Sequence, residues 1–113
     1  MSSTVQVILN KYVSELEKIY GAYLKSVILY GSYARGDFTE ESDIDIMILL
    51  DLDEMLIKKY RHDLSGITYD FNMDYDVDIK PIAKSREHFE KWEDIYPFYK
   101  NVKSEGVRLF GSA

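Results

Sequence analysis

Two small groups of polar residues stand at the ends of apolar runs, and their types are those that handle a phosphate chain. Gly31-Ser32 closes the run Ser26–Tyr30 (SVILY), and after ten intervening residues Asp43-x-Asp45 opens the run Ile44–Leu50 (IDIMILL). Glycine lets the backbone approach an anion closely, and the free N–H groups of a turn after a strand make an anion site. Ser32 adds a hydroxyl donor to the same place. Arg35, three residues on, falls on the same side of a helical turn, where it can face phosphate oxygens. A Gly-Ser pair by itself usually marks only a turn. Asp43 and Asp45 change that reading, because residues two apart in a strand project from one face. Two neighbouring carboxylates at the start of an apolar strand repel each other, and a divalent cation compensates them. Hard oxygen ligands favour Mg²⁺, which keeps several waters and bridges to phosphates. The plain alternative is a solvated strand mouth, since Asp is mostly exposed. Together, the turn and the carboxylates describe a site for a metal-bound nucleoside triphosphate.

The elements that must hold these residues are legible from periodicity. Val5, Ile8, Leu9, Tyr12, Val13, Leu16, Ile19 and Tyr20 recur at helical spacing, with Ser3 and Gln6 as a capping box and Gly21 at the helix stop. Residues 26–30 read as a short buried strand, 32–35 as one helical turn, and Gly36-Asp37 as the start of a polar loop. Ile44–Leu50 is a second buried strand, stopped by the acidic segment Asp51–Glu54, which can cap a helix. Leu56, Tyr60, Leu64, Ile67 and Phe71 mark one face of a long helix that tolerates Gly66 at about 1 kcal/mol relative to Ala. Tyr75–Ile82 (YDVDIKPI) alternates as a strand, with Pro81 at its end or on a sheet edge. Ser85 caps a helix with Phe89 and Trp92. Pro97 begins another with Phe98, Tyr99 and Val102, Gly106 ends it, and Val107–Phe110 forms a last short strand. The order α-β-α-β-α-β-α-α-β predicts a single α/β domain over residues 1–113, with helices packed on a small mixed sheet.

Bulk properties narrow the function classes. The 113 residues are 46% hydrophobic and 14% aromatic, enough for one core. Net charge is −6 with no basic cluster, so direct nucleic-acid binding is not expected. No apolar run approaches the roughly 20 residues that span a bilayer, and the start lacks an export pattern. Absence of cysteine fits a cytoplasmic protein. His62 and His88 lack partners at metal-ligand spacing and read as surface residues, as Glu40 and Glu41 read as a solvated loop. Trp92, Tyr96, Phe98 and Tyr99 could stack on an adenine, but core or interface is the better account of them. Ten tyrosines and five phenylalanines leave room for an exposed aromatic patch facing a protein partner.

The string GSYARGDFTEESDIDIMILL resembles the polymerase β-type nucleotidyltransferase superfamily, and within it the stand-alone minimal nucleotidyltransferases (MNT). The distinctive motif spans residues 30–50, while length and element order match across the chain. The resemblance implies a nucleotidyltransferase, polymerase β palm-like fold and a third carboxylate on a later strand. Asp78, flanked by Val77 and Ile79, suits that role; Asp76 is the alternate. It also implies two-metal transfer, with Gly31, Ser32 and Arg35 for the triphosphate and Asp43, Asp45 and the third Asp for two Mg²⁺ ions.

At 113 residues the chain is not expected to hold a second domain for the acceptor. It resembles the MNT antitoxins of HEPN/MNT toxin–antitoxin systems, whose helical tail is similar to EDIYPFYKNVKSEGVRLFG here. That likeness implies AMP transfer from ATP to a tyrosine of a HEPN-domain ribonuclease toxin. Two other readings stand beside it. One is a small-molecule nucleotidyltransferase of aminoglycoside type, its site shared across a homodimer. The other is a non-catalytic module that neutralises its partner by occlusion.

Overall fold

The computed structural model describes residues 3–111. In chain order the elements are α1 (Ser3–Tyr20), a 3₁₀ turn (Gly21–Tyr23), β1 (Leu24–Tyr30), α2 (Ser32–Arg35), β2 (Ile44–Leu50), α3 (Glu54–Lys58), α4 (Arg61–Tyr75), β3 (Ile79–Ser85), α5 (Arg86–Trp92), α6 (Pro97–Glu105) and β4 (Val107–Phe110). The sheet order is β3-β2-β1-β4. β1 runs antiparallel to both β2 and β4, whereas β2 and β3 are parallel. A parallel pair needs a crossover, and α3 with α4 supplies it. The sheet is therefore mixed, as the sequence predicts, and Pro81 lies on its edge strand, where a missing N–H costs least.

Alternation along the central strands divides the core in two. Val27 and Leu29 of β1, with Ile44, Ile46, Ile48 and Leu50 of β2, pack beneath α1, α3 and α4. Ile28, Met47 and Leu49 face the other way, against Phe89, Tyr99 and Val102 of α5 and α6. β2 is thus buried on both faces along most of its length, which is why it reads as a continuous apolar run. Among the described residues no helix is long and apolar enough to cross a membrane.

Three local expectations change. Gln6 donates to Asn10 Oδ1 at 3.0 Å instead of reaching back to Ser3. The predicted long helix breaks at Lys59-Tyr60: Asp53 caps α3 through Leu56 N (2.8 Å), and the Tyr60 ring packs on Tyr20 at 5.2 Å. The break turns Ile57 inward and leaves Leu56 exposed. The third strand begins later than the alternation suggests. α4 continues to Tyr75 because Phe71 packs edge-on against Tyr12 (5.3 Å) and Tyr75 against Phe71 (5.4 Å). Asp76 then ends the helix in a left-handed conformation (φ 51°). Asn72 reaches across the turn to accept from Ile79 N (2.8 Å) and donate to Ile79 O (3.3 Å), fixing the start of β3.

Candidate active site

Gly31 joins β1 to α2 with φ 75° and ψ −155°, a combination that is essentially restricted to glycine. The absence of a side chain matters for a second reason. A Cβ at this position would collide with Asp45 Oδ2, so the carboxylate of β2 lies directly against the turn. α2 is a single turn, closed by Arg35 N donating to Gly31 O (3.0 Å) and Gly36 N to Ser32 O (2.9 Å). Its first amides, starting at Ser32, have no intrahelical acceptor. The loop after α2 is fastened by Tyr33 stacked on Phe38 at 4.4 Å and by Thr39 N donating to Ser42 Oγ at 2.9 Å. It delivers the chain to Asp43 at the mouth of β2.

Register decides what stands beside these aspartates. Ile44 pairs with Ile79, and Ile44 N donates to Asp78 O at 2.8 Å, so Asp78 lies next to Asp43. Asp45 sits between Tyr30 of β1 and Lys80 of β3. Asp43, Asp78, Tyr30, Asp45 and Lys80 project from one sheet face, in two adjacent rows at its open end. Asp43 and Asp78 share a hydrogen bond between their side chains, which holds the Asp43 carboxyl above the ordinary range; burial adds to this and Lys80 opposes it. The Asp45 carboxyl is also raised, first by burial and then by the charge of Asp43, with Lys80 and Arg35 pulling it down. Burial, with the charge of Asp45 beside it, pushes the Tyr30 phenol up to about 12. Lys80 Nζ stands 3.7 Å from Asp78 Oδ2.

The carboxylates are neighbours, yet among the described residues no three acidic, histidine or cysteine side chains already converge as a metal-holding group. The donor chemistry nevertheless fits Mg²⁺. The donors are hard oxygens, two are close enough to share a proton, and Mg²⁺ takes only one or two carboxylates before filling its shell with water and phosphate oxygen. A recess of about 250 Å³ opens beside them, lined by Tyr33, Glu40, Glu41, Ser42, Asp76 and Asp78 among others. Two larger cavities, of about 640 and 550 Å³, lie away from Asp43 and Asp45 and contain none of the site aspartates.

Gly31, Ser32, Asp43, Asp45 and Asp78 thus gather at one end of the sheet. Asp76 does not share a strand face with Asp78, because it caps α4 and reaches only the rim of the recess. The Arg35 guanidinium is engaged by Asp37 (3.3 Å) and by Glu105 of α6 (3.1 Å), so a phosphate would have to displace these partners to use it. Tyr30, Lys80 and Glu105 are neighbours that the sequence reading passes over. Lys80 was within reach of it: once Asp78 is set beside Asp43, period-two alternation puts Lys80 beside Asp45. Its ammonium offsets the carboxylates' repulsion and competes with a metal ion for them. Lys80→Ala should therefore bind Mn²⁺ about three- to tenfold more tightly without nucleotide, from the charge–charge energy expected over this distance in water. Titration followed by the free Mn²⁺ electron-spin resonance signal measures this, and unchanged or weaker binding would contradict it.

The profile of the nucleotidyltransferase domain matches residues 9–109, and the chain belongs to that family. Within it, the chain is 40% identical over 102 residues to "Putative protein adenylyltransferase MJ0604" of Methanocaldococcus jannaschii, covering 90% of this chain and 94% of that one. A second protein of that designation from the same organism, MJ0141, is 39% identical over 75 residues, with 66% and 74% covered. Among solved structures, a toxin–antitoxin complex with AMP-PNP superposes with a TM-score of 0.55 at 20% identity, covering 91% of this chain and 73% of that one. A tri-AMPylated Shewanella oneidensis HEPN toxin in complex with its MNT antitoxin gives a TM-score of 0.52 at 20% identity, with 95% and 72% covered. At such identities the structural likeness establishes the fold, and that fold is the minimal nucleotidyltransferase fold implied by residues 30–50.

Proposed function

We propose that this chain is an Mg²⁺-dependent protein adenylyltransferase that transfers AMP from ATP to a tyrosine hydroxyl of a cognate HEPN ribonuclease toxin, and so acts as its antitoxin. The observation that carries the reading is the contact of Asp45 with Gly31, which joins the carboxylates to the phosphate turn in one site. The curated relatives' designation as protein adenylyltransferases supports the reaction class, and the toxin–antitoxin fold neighbours support the kind of partner.

The amides of α2 and the Ser32 hydroxyl hold the triphosphate, with Arg35 joining them on exchange from Glu105. Asp43, Asp45 and Asp78 hold the divalent cations. When bound, these supply charge neutralisation at the phosphates and a lowered pKa for the acceptor hydroxyl. The tyrosine oxygen forms a bond to the α-phosphorus as the bond to the bridging oxygen of the departing pyrophosphate breaks. Asp78, on the most exposed of the three carboxylate positions, takes the phenolic proton. Positioning and preorganised charge provide most of the acceleration, as in other phosphoryl transfers.

The test is to incubate the chain with Mg²⁺, ATP and the protein encoded by the adjoining reading frame, and to weigh that protein intact. An adenylyl increment on a tyrosine is expected, with none in excess chelator. If the two proteins bind and no increment forms, occlusion replaces catalysis as the mechanism.

A further inference from the structure

The turn between α5 and α6 carries an unusual amount of apolar surface for a protein this acidic. Ile95, Tyr96 and Phe98 are 61%, 42% and 41% exposed. The turn is stiff. Ile95 N and Tyr96 N both donate to Trp92 O at 3.0 Å, Pro97 starts α6, and Tyr96 lies flat on Trp92 at 5.1 Å with 4° between the rings. Single exposed apolar residues are ordinary, whereas several held on one turn are the kind of surface that partners use. This group also borders the site: Phe98 meets Tyr30 edge-on at 5.6 Å, and Tyr30 is the cross-strand neighbour of Asp45.

On the far side of the carboxylates the chemistry reverses. The row Tyr30–Asp45–Lys80 crosses from β1 to β3. Where the 40–42 loop meets the segment leading into β3, the recess beside Asp78 presents Glu40, Glu41 and Asp76. The end of the sheet that carries the carboxylates therefore has an apolar ledge at Tyr30 of β1 and an acidic lip at Asp78, just before β3.

We infer that the Ile95–Tyr96–Phe98 ledge and the Glu40–Glu41 lip together dock the acceptor polypeptide. Its chemistry mirrors theirs: a tyrosine-bearing segment with aliphatic or aromatic side chains on one flank and Lys or Arg on the other. The apolar flank supplies buried area, while opposite charge steers encounter and fixes orientation. This inference rests on the adenylyltransferase reading and names where that reaction's partner binds.

Two variants test it, Ile95→Ser/Phe98→Ala for the ledge and Glu40→Lys/Glu41→Lys for the lip, with the protein from the adjoining reading frame as the probe. Each variant should weaken the complex at least about tenfold in a titration without ATP. Each should raise KM for that protein with kcat nearly unchanged. ATP affinity should stay within about twofold of wild type, as should the rate with N-acetyl-tyrosine amide, which is too small to need the ledge. A parallel loss of ATP affinity in the ledge variant would make the ledge an adenine platform and overturn the inference. Unchanged affinity for the partner would overturn it too, as would failure of the wild type to bind the partner. A complex that forms normally and is weakened by both variants, yet is never adenylylated, would leave the docking surface standing and refute the reaction.

Discussion

Asp45→Asn should abolish nucleotidyl transfer while making the metal-free protein more stable. The loss of activity comes from position. Asp45 is the carboxylate that lies against the Gly31 turn and within the fields of Asp43 and Asp78, and an amide there supplies neither charge nor a full set of metal-binding lone pairs. Metal-assisted charge stabilisation is worth several kcal/mol, and each 1.4 kcal/mol is tenfold in rate, so a fall of about 10³-fold or more is expected. The stability gain comes from the direction of the pKa shift. Burial and the charge of Asp43 raise the Asp45 carboxyl in the folded state, so its ionised form opposes folding. For such a group the favourable contribution is complete below the unfolded pKa, near 3.9, and is lost as pH rises through the higher folded value. Melting wild type and variant in chelator should then show the variant higher at pH 7.5, with the gap closing toward pH 4. A gain of only about 0.5 kcal/mol would move Tm by roughly 2–4 °C in a domain of this size. Adding Mg²⁺ and ATP should restore or reverse the order, because only wild type gains from binding them. A variant that melts lower than wild type in chelator at neutral pH would mean that Asp45 holds the fold together.

The contrast between Asp45 and Asp76 explains which parts of the site were legible in the sequence. Gly31-Ser32 and Asp43-x-Asp45 could be placed because each is local: a strand end, a turn and a two-residue alternation are set by neighbouring residues alone. The third strand was not local. YDVDIKPI alternates convincingly, but its first residues are drawn into α4, where Tyr75 packs on Phe71 and Phe71 on Tyr12, fifty-nine residues earlier than Phe71. Only the cap at Asp76 and the clasp of Asn72 on Ile79 settle where strand geometry begins. Period-two counting from that point gives Asp78 and Lys80 their common face. Arg35 shows the same limit. Its spacing from Ser32 suits a phosphate, but its partner Glu105 lies seventy residues on and is brought there by α6. The break between α3 and α4 is a third case, set by Tyr60 on Tyr20 and invisible to a search for one apolar stripe. Turns and strand mouths are written in adjacent residues, whereas the neighbours of a charged group depend on how the elements pack.

Gly31→Ala is the second substitution with a large expected effect, and its cause can be divided. The backbone at Gly31 lies at φ 75° and ψ −155°, where a residue with a Cβ costs about 1–3 kcal/mol. The new methyl also strikes Asp45 Oδ2, and overpacking of that kind adds about 1–3 kcal/mol more or displaces the carboxylate. Because that carboxylate is the link between the turn and the proposed metal ligands, activity should fall with stability, by about a hundredfold or more in kcat/KM. Gly36 provides the comparison. It closes the same turn at φ 86°, but a Cβ there meets nothing within 4 Å, so Gly36→Ala should cost only the left-handed penalty of roughly 1–2 kcal/mol and spare most of the activity. A double-mutant cycle separates strain from collision. In an Asp45→Ala background the carboxylate is gone, and Gly31→Ala should then cost only its backbone share, giving a coupling of about 1 kcal/mol or more in denaturant melts. Additive effects would show that Asp45 does not rest on Gly31, and the two halves of the site would have to be joined by some other contact.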